Sequence, residues 1–307
     1  MKDFPVHVLR GVAQVDFMPS ALCGLLFTAA LFSADWRFGV YGLLGTAVAT
    51  AAARALGQRG EAVEAGLHGY NGCLVALGCA AFLDPDSPAT AVVAALGAAV
   101  SVVLAAGLTA LLDTWRLPVL TVPFCLTATA VTLAAPAFHR LAPAAAVAPA
   151  AAVPAAAVPG LSWDQLWHGF LANIGQAFLL PQWYAGLLFL AGLVAAGRLA
   201  ALAACAGSAV CLLTAWALGA PGEAVGQGLY GYSGVLVALA LGGGVFLARD
   251  RWSTGYALLG AAAATVLTPA FTALTAPAGG HALTWPFVVT TLVFLAAVPA
   301  IPRLRRL

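Results

Sequence analysis

The 307-residue chain is 63% hydrophobic and only 8% charged, against roughly 45–50% apolar and about 25% charged residues in soluble domains. Those proportions exclude a soluble globular protein and identify an integral membrane protein. A formal net charge of +2 is too small to draw a nucleic-acid partner, and most basic residues stand at the edges of apolar runs, where they set topology.

The opening MKDFPVHVLRGVAQ lacks the apolar core of a cleavable signal peptide, so the first span is expected to direct insertion. Leu9 to Met18, ahead of Pro19, is too short to cross. Ten residues of helix rise about 15 Å, half of a hydrocarbon core. The segment reads either as a half-spanning re-entrant helix or as an interfacial helix. A span needs about 20 largely apolar residues, and by that measure spans follow at Ala21 to Ala34, Phe38 to Leu56, Gly66 to Leu83, Ala89 to Leu112 and Leu117 to Phe138. Leu141 to Pro159 holds four prolines in nineteen residues, which suits a semi-rigid extended linker rather than a helix. A second short segment, Leu171 to Leu180, ends at Pro181. Five further spans are expected at Trp183 to Gly197, Leu199 to Leu218, Ala224 to Ala248, Ser253 to Leu274 and His281 to Ala300.

The two series are copies. GEAVEAGLHGYNGCLVAL from Gly60 and GEAVGQGLYGYSGVLVAL from Gly222 agree at thirteen of eighteen positions with an offset of 162. The same offset pairs Gln14 with Gln176 and the GLLF at Gly24 with that at Gly186. Five spans is an odd number, so the second copy enters the bilayer from the opposite side. The expected fold is an all-α integral membrane protein of ten transmembrane helices plus two re-entrant half-helices, in two inverted repeats over residues 1–138 and 166–307, joined by an Ala/Pro-rich extracytoplasmic linker over 139–165. With both termini cytoplasmic, eleven of the thirteen basic residues fall on the cytoplasmic side, as the positive-inside rule requires.

Ionisable side chains are almost absent from the expected spans, which disfavours proton relays and cation coupling. Asp16 is the main exception and is read either as a functional carboxylate or as a residue at a water-exposed end of its segment. Glu61 and Glu223 stand where a carboxylate suits a helix N-terminus. Cys23, Cys73, Cys79, Cys125, Cys205 and Cys211 read as small core residues, and the five histidines show no ligand spacing, so neither a metal nor another cofactor is expected. No nucleophile-base arrangement or phosphate loop points to an enzyme.

What remains is paired and uncharged. Tyr70 and Leu74 share one helix face, as do Tyr232 and Leu236; such pairs serve ordinary packing or form a flat apolar wall beside hydrogen-bond acceptors. Thr121 in LPVLTVPF and Thr284 in ALTWPF are offset by 163 and read either as helix caps or as hydroxyls facing a pore.

With LPVLTVPF, LRGVAQVDF, GLHGYNGCLV and their second-half counterparts NIGQAF, GLYGYSGVLV and LTWPF in order, the chain resembles the urea transporter family over nearly its whole length outside the linker. The resemblance implies a homotrimer in the cell inner membrane, each protomer with its own pore between inverted halves, passing urea down its gradient. It implies Gln14 and Gln176 beside oxygen ladders, Phe17, Tyr70, Leu74, Tyr232 and Leu236 lining slots, and Thr121 and Thr284 at the middle constriction; Leu179 occupies the place paired with Phe17. Tyrosine replaces the family's usual phenylalanine at 70 and 232, which leaves open a channel for another small neutral solute such as ammonia or a short amide. An ion-coupled secondary transporter is the more distant alternative.

Overall fold

The computed structural model of the chain describes residues 3–144 and 161–307. The expected linker therefore lies, over 145–160, outside the described residues. Among the described residues the protein is all-helical, with 76% in helices and no strand beyond two isolated bridges, Leu83 with Pro143 and Leu247 with Arg306.

In chain order the first half forms α1 (Phe4–Ala13), α2 (Ala21–Ala34), α3 (Trp36–Ala55), α4 (Gly60–Glu64), α5 (Gly69–Phe82), α6 (Pro88–Leu112) and α7 (Val122–Ala134). The second half forms α8 (Trp163–Gly175), α9 (Trp183–Ala196), α10 (Arg198–Ala217), α11 (Gly222–Gly226), α12 (Tyr232–Gly242), α13 (Arg251–Thr275) and α14 (Trp285–Ala297). Five of the seven corresponding pairs have equal lengths, at 14, 20, 5, 25 and 13 residues, so the duplication extends to the backbone. Two compact units are distinguished, Met1–Ala151 with Thr275–His281 and Ala152–Leu274 with Ala282–Leu307.

Local chemistry sets the boundaries. Ser20 accepts the Cys23 N–H at the start of α2 at 3.3 Å, and Asp35 accepts that of Arg37 at 2.8 Å as α3 begins. At α8, Ser162 and Gln165 form a reciprocal capping box, satisfying two amides that the helix cannot. Proline opens the first turn of α1, α6, α7 and α14, where a missing N–H costs nothing.

Three helical stretches, Pro88–Trp115, Arg198–Ala217 and Arg251–Ala278, are long and apolar enough to cross a bilayer. The count rises to five if each of two bent pairs is one span, Phe4–Asp16 with Ala21–Ala34 at 77° and Trp163–Phe178 with Trp183–Ala196 at 73°. Four expected spans are shorter than the apolar pattern suggested: α5, α7, α12 and α14 run 14, 13, 11 and 13 residues. The cause is backbone geometry. Gly66 and Gly228 take φ of +81° and +75°, while Leu120 and Leu283 take +51° and +45°, each breaking a run before its helix begins. The two short segments instead start earlier than expected, at Phe4 and Trp163.

Within each half, the bent pair closes on a glycine. A Cβ on Gly24 would lie 1.8 Å from the Leu9 carbonyl oxygen, and one on Gly186 would lie 2.0 Å from that of Leu171. Only glycine lets backbones approach so closely. The core also holds Phe27, Phe124, Phe178, Phe189 and Phe287 almost without exposure, while Leu96, Val103, Leu202 and Leu259 remain open, as suits helices facing lipid. Buried hydroxyls of Thr28, Thr46, Thr50 and Thr265 donate to the carbonyl four residues earlier in their own helices, so each is satisfied without a partner helix. All six cysteines are free thiols, five buried and Cys205 intermediate.

Candidate functional site

Each half ends its short opening helix the same way. α1 tightens into a 3-10 turn over Gln14–Asp16 and stops at Phe17, with φ of 66°; α8 tightens over Gln176–Phe178 and stops at Leu179, with φ of 62°. A non-glycine residue in this left-handed region costs roughly 1–2 kcal/mol. Capping bonds offset it: Phe17 N–H donates to Gln14 O at 3.0 Å and Met18 N–H to Ala13 O at 3.1 Å, with Leu179 to Gln176 and Leu180 to Gly175 at 3.0 and 3.3 Å. These satisfy carbonyls that the helix end would otherwise leave open.

Gln14 and Gln176 stand at these tips, each 8% exposed. Gln14 Nε2 donates to Ala65 O at 2.9 Å and Gln176 Nε2 to Gln227 O at 3.0 Å. Because a carbonyl can only accept, the amide orientation is settled and Oε1 remains as the acceptor face of each side chain.

A second device recurs on α5 and α12. Tyr70 donates its hydroxyl to Leu120 O at 2.6 Å, and Tyr232 donates to Leu283 O at 2.5 Å. Leu120 and Leu283 are the left-handed residues just before Thr121 and Thr284, so each tyrosine anchors the turn that presents a threonine. Both threonines are 3% exposed. They occupy the position before the first residue of α7 and α14, yet neither side chain caps its helix, contrary to the capping expectation.

The halves differ at one point. Asn71 donates Nδ2 to Leu120 O at 3.2 Å and accepts the Phe124 N–H on Oδ1 at 3.1 Å, tying the turn to the start of α7. Its counterpart Ser233 is too short to do this, and its buried hydroxyl makes no hydrogen bond.

The structure thus groups Gln14 with Ala65 at one helix tip and Tyr70 with Leu120 and Thr121 at one turn, and repeats both groupings for Gln176, Tyr232 and Thr284. Phe17 and Leu179 are half-buried at the tips. Leu74 and Leu236 lie one turn beyond the tyrosines and are sealed, at 1% and 0% exposure.

Two expectations change. Asp16 is not at a water-exposed end: it is 1% exposed and its Oδ1 has no hydrogen-bond partner, while Phe178 takes its place in the second half and stacks on Phe189 at 4.3 Å. Glu61 and Glu223 do stand at helix N-termini, but at those of α4 and α11, five-residue helices separate from the longer α5 and α12. Sequence reasoning missed Asn71, Leu120 and Leu283. Asn71 falls inside the duplicated stretch, but the Asn/Ser difference removed it from the shared set; the carbonyl roles of the two leucines have no side-chain signal.

A family model described as "Urea transporter" matches residues 6–299 of the chain. Urea transporter 1 of Ovis aries is 30% identical over 313 residues, covering 99% of this chain and 80% of that protein. Urea transporter 1 of Rattus norvegicus is 30% identical over 316 residues, covering 100% of this chain and 82% of its own.

Proposed function

The chain belongs to the urea transporter family, and from that membership we propose that it transports urea passively, as a channel, down the urea gradient. The observation that carries the reading is the doubled constellation of neutral polar groups: Gln14 and Gln176 with Oε1 uncommitted to the backbone, and the Thr121 and Thr284 hydroxyls on turns whose Leu120 and Leu283 carbonyls are held by the tyrosines.

Urea is flat and neutral, with four N–H donors and one strong acceptor. Moving such an amide into an apolar medium without partners costs several kcal/mol, roughly 2–7 depending on the reference state. A series of oxygens offsets most of that by replacing water hydrogen bonds. Each such bond is worth only about 0.5–1.5 kcal/mol net, so the solute moves on. In this reading Phe17, Tyr70, Leu179 and Tyr232 form the apolar slot walls, backed by the sealed Leu74 and Leu236, and the tyrosine hydroxyls serve the turns behind the slots. A mostly uncharged slot returns little to an ion for its lost hydration, and no ion current is expected.

The charge distribution supports two inverted five-span repeats with both termini cytoplasmic, in a cell inner membrane, and the family resemblance supports a homotrimer. Stopped-flow shrinkage of proteoliposomes tests the function. Protein-dependent urea flux is expected, and it should fall about tenfold in Thr121→Val/Thr284→Val if one to two hydrogen bonds are lost at the barrier. Absence of protein-dependent urea flux refutes the reading. Asp16, the one buried carboxylate among the described residues, favours proton coupling as the second reading; urea uptake driven by a proton gradient would select it.

A further inference from the structure

We propose that the second half carries a binding site for a small organic cation of the guanidinium or primary ammonium class, apart from the paired glutamine, tyrosine and threonine groups. It is a cavity of about 550 Å³ where the starts of α8, α9 and α11 meet, lined by Gln165, His168, Gln182, Trp183, Tyr184 and Glu223.

Three observations converge on that ligand class. The first is an aromatic cluster: Trp167 lies 3.7 Å from His168 and 5.1 Å from Trp183, with Trp183 5.9 Å from Tyr184 between ring centres. Trp183 and Tyr184 remain 37% and 39% exposed, so ring surface is available, and indole and phenol faces attract cations. The second is charge. Glu223 is exposed and makes no ion pair among the described residues, and no Lys or Arg lines the cavity. The third is a stranded acceptor beneath the wall: Gln182 lines the cavity, and its Oε1 is shielded with no hydrogen-bond partner among the described residues, so a turn of the side chain brings an amide oxygen to a donor in the cavity. A carboxylate, that amide and flat aromatic faces together fit a ligand that is cationic and rich in N–H donors.

The duplication isolates the feature. At the offset of 162, His168, Gln182, Trp183 and Tyr184 correspond to Val6, Ser20, Ala21 and Leu22, while Glu223 corresponds to Glu61. The first half keeps the acid and lacks the aromatic wall, so the cavity is no by-product of the repeated fold.

The test uses the purified full chain in maltoside detergent, which brings no cationic headgroup, with methylguanidinium as the probe and saturation-transfer NMR as the readout. Saturable binding is expected, weakened about tenfold in Glu223→Gln and in Trp183→Ala, retained in Trp183→Phe, and unchanged in Glu61→Gln. Adding phosphatidylethanolamine separates two sources of the same chemistry: displacement of the probe assigns the site to a lipid ammonium, and no displacement assigns it to a soluble cation. No saturable binding, or equal binding in Glu223→Gln, overturns the proposal. Because the readout is binding, its failure is distinct from absence of urea flux.

Discussion

Replacing Tyr232 with phenylalanine removes one oxygen and leaves the ring, and the group it deprives is the Leu283 carbonyl. That carbonyl loses its 2.5 Å donor, and the neighbouring Ser233 hydroxyl, which makes no hydrogen bond, supplies no replacement. A buried carbonyl left unpaired costs about 1–3 kcal/mol. Tyr70→Phe is milder because Asn71 Nδ2 still reaches Leu120 O at 3.2 Å, limiting the loss to the net worth of one neutral hydrogen bond, about 0.5–1.5 kcal/mol. Thermal unfolding of the purified protein should therefore rank Tyr232→Phe below Tyr70→Phe, and urea flux in proteoliposomes should fall in the same order as the Thr284 turn loosens. Ser233→Asn rebuilds the first-half arrangement and should narrow the gap when combined with Tyr232→Phe. Equal losses, a reversed order, or no rescue by Ser233→Asn would refute the carbonyl-anchoring argument.

Gly24→Ala and Gly186→Ala should each destabilise at the upper end of the about 1–3 kcal/mol typical of overpacking, since the new methyl meets a backbone carbonyl. Gly60→Ala, with nothing within 4 Å, should leave folded yield and unfolding temperature unchanged. At the α3 edge, Arg37 grips both Asp86 oxygens at 2.7 Å, and its hydrogen bonds hold that carboxyl below its ordinary 3.8. A lowered carboxylate contributes stability above the ordinary value and loses it as pH falls through the lowered one. Asp86→Asn should therefore unfold earlier than the parent at neutral pH, and the two should converge only once the pH has fallen below the lowered value.

Much of this was legible in sequence because apolar runs and a dense repeat leave little room for another architecture. α2, α3, α6, α9, α10 and α13 begin and end within two residues of their expected bounds. The shorter α5, α7, α12 and α14 were not legible, because hydropathy measures burial and is blind to a reversal of φ. At Gly66 the residue type hinted at the break; at Leu120 and Leu283 nothing did, since leucine is disfavoured in that conformation and is held there by a tyrosine about fifty residues away. The candidate site residues were singled out through pairing, and pairing also hid Asn71, a residue by which the halves differ.

The offset between halves steps from 162 at Tyr70 and Tyr232 to 163 at Leu120 and Leu283. The element bounds place the change in the connection before the sixth helix of each half: α6 starts at Pro88 and α13 at Arg251, again 163 apart, while the chain before them spans 83–87 in one copy and 243–250 in the other. A residue gained inside a helix would turn everything after it by about 100° around the axis. Gained in this connection, where Gly244 turns the chain with φ of +78° and Arg249 bonds the Gly243 carbonyl at 2.9 Å, it leaves the helical phase untouched, and Tyr232 still meets Leu283 as Tyr70 meets Leu120. The connection is a slack joint, through which the copies drifted in length without disturbing the angular settings of the helices they share.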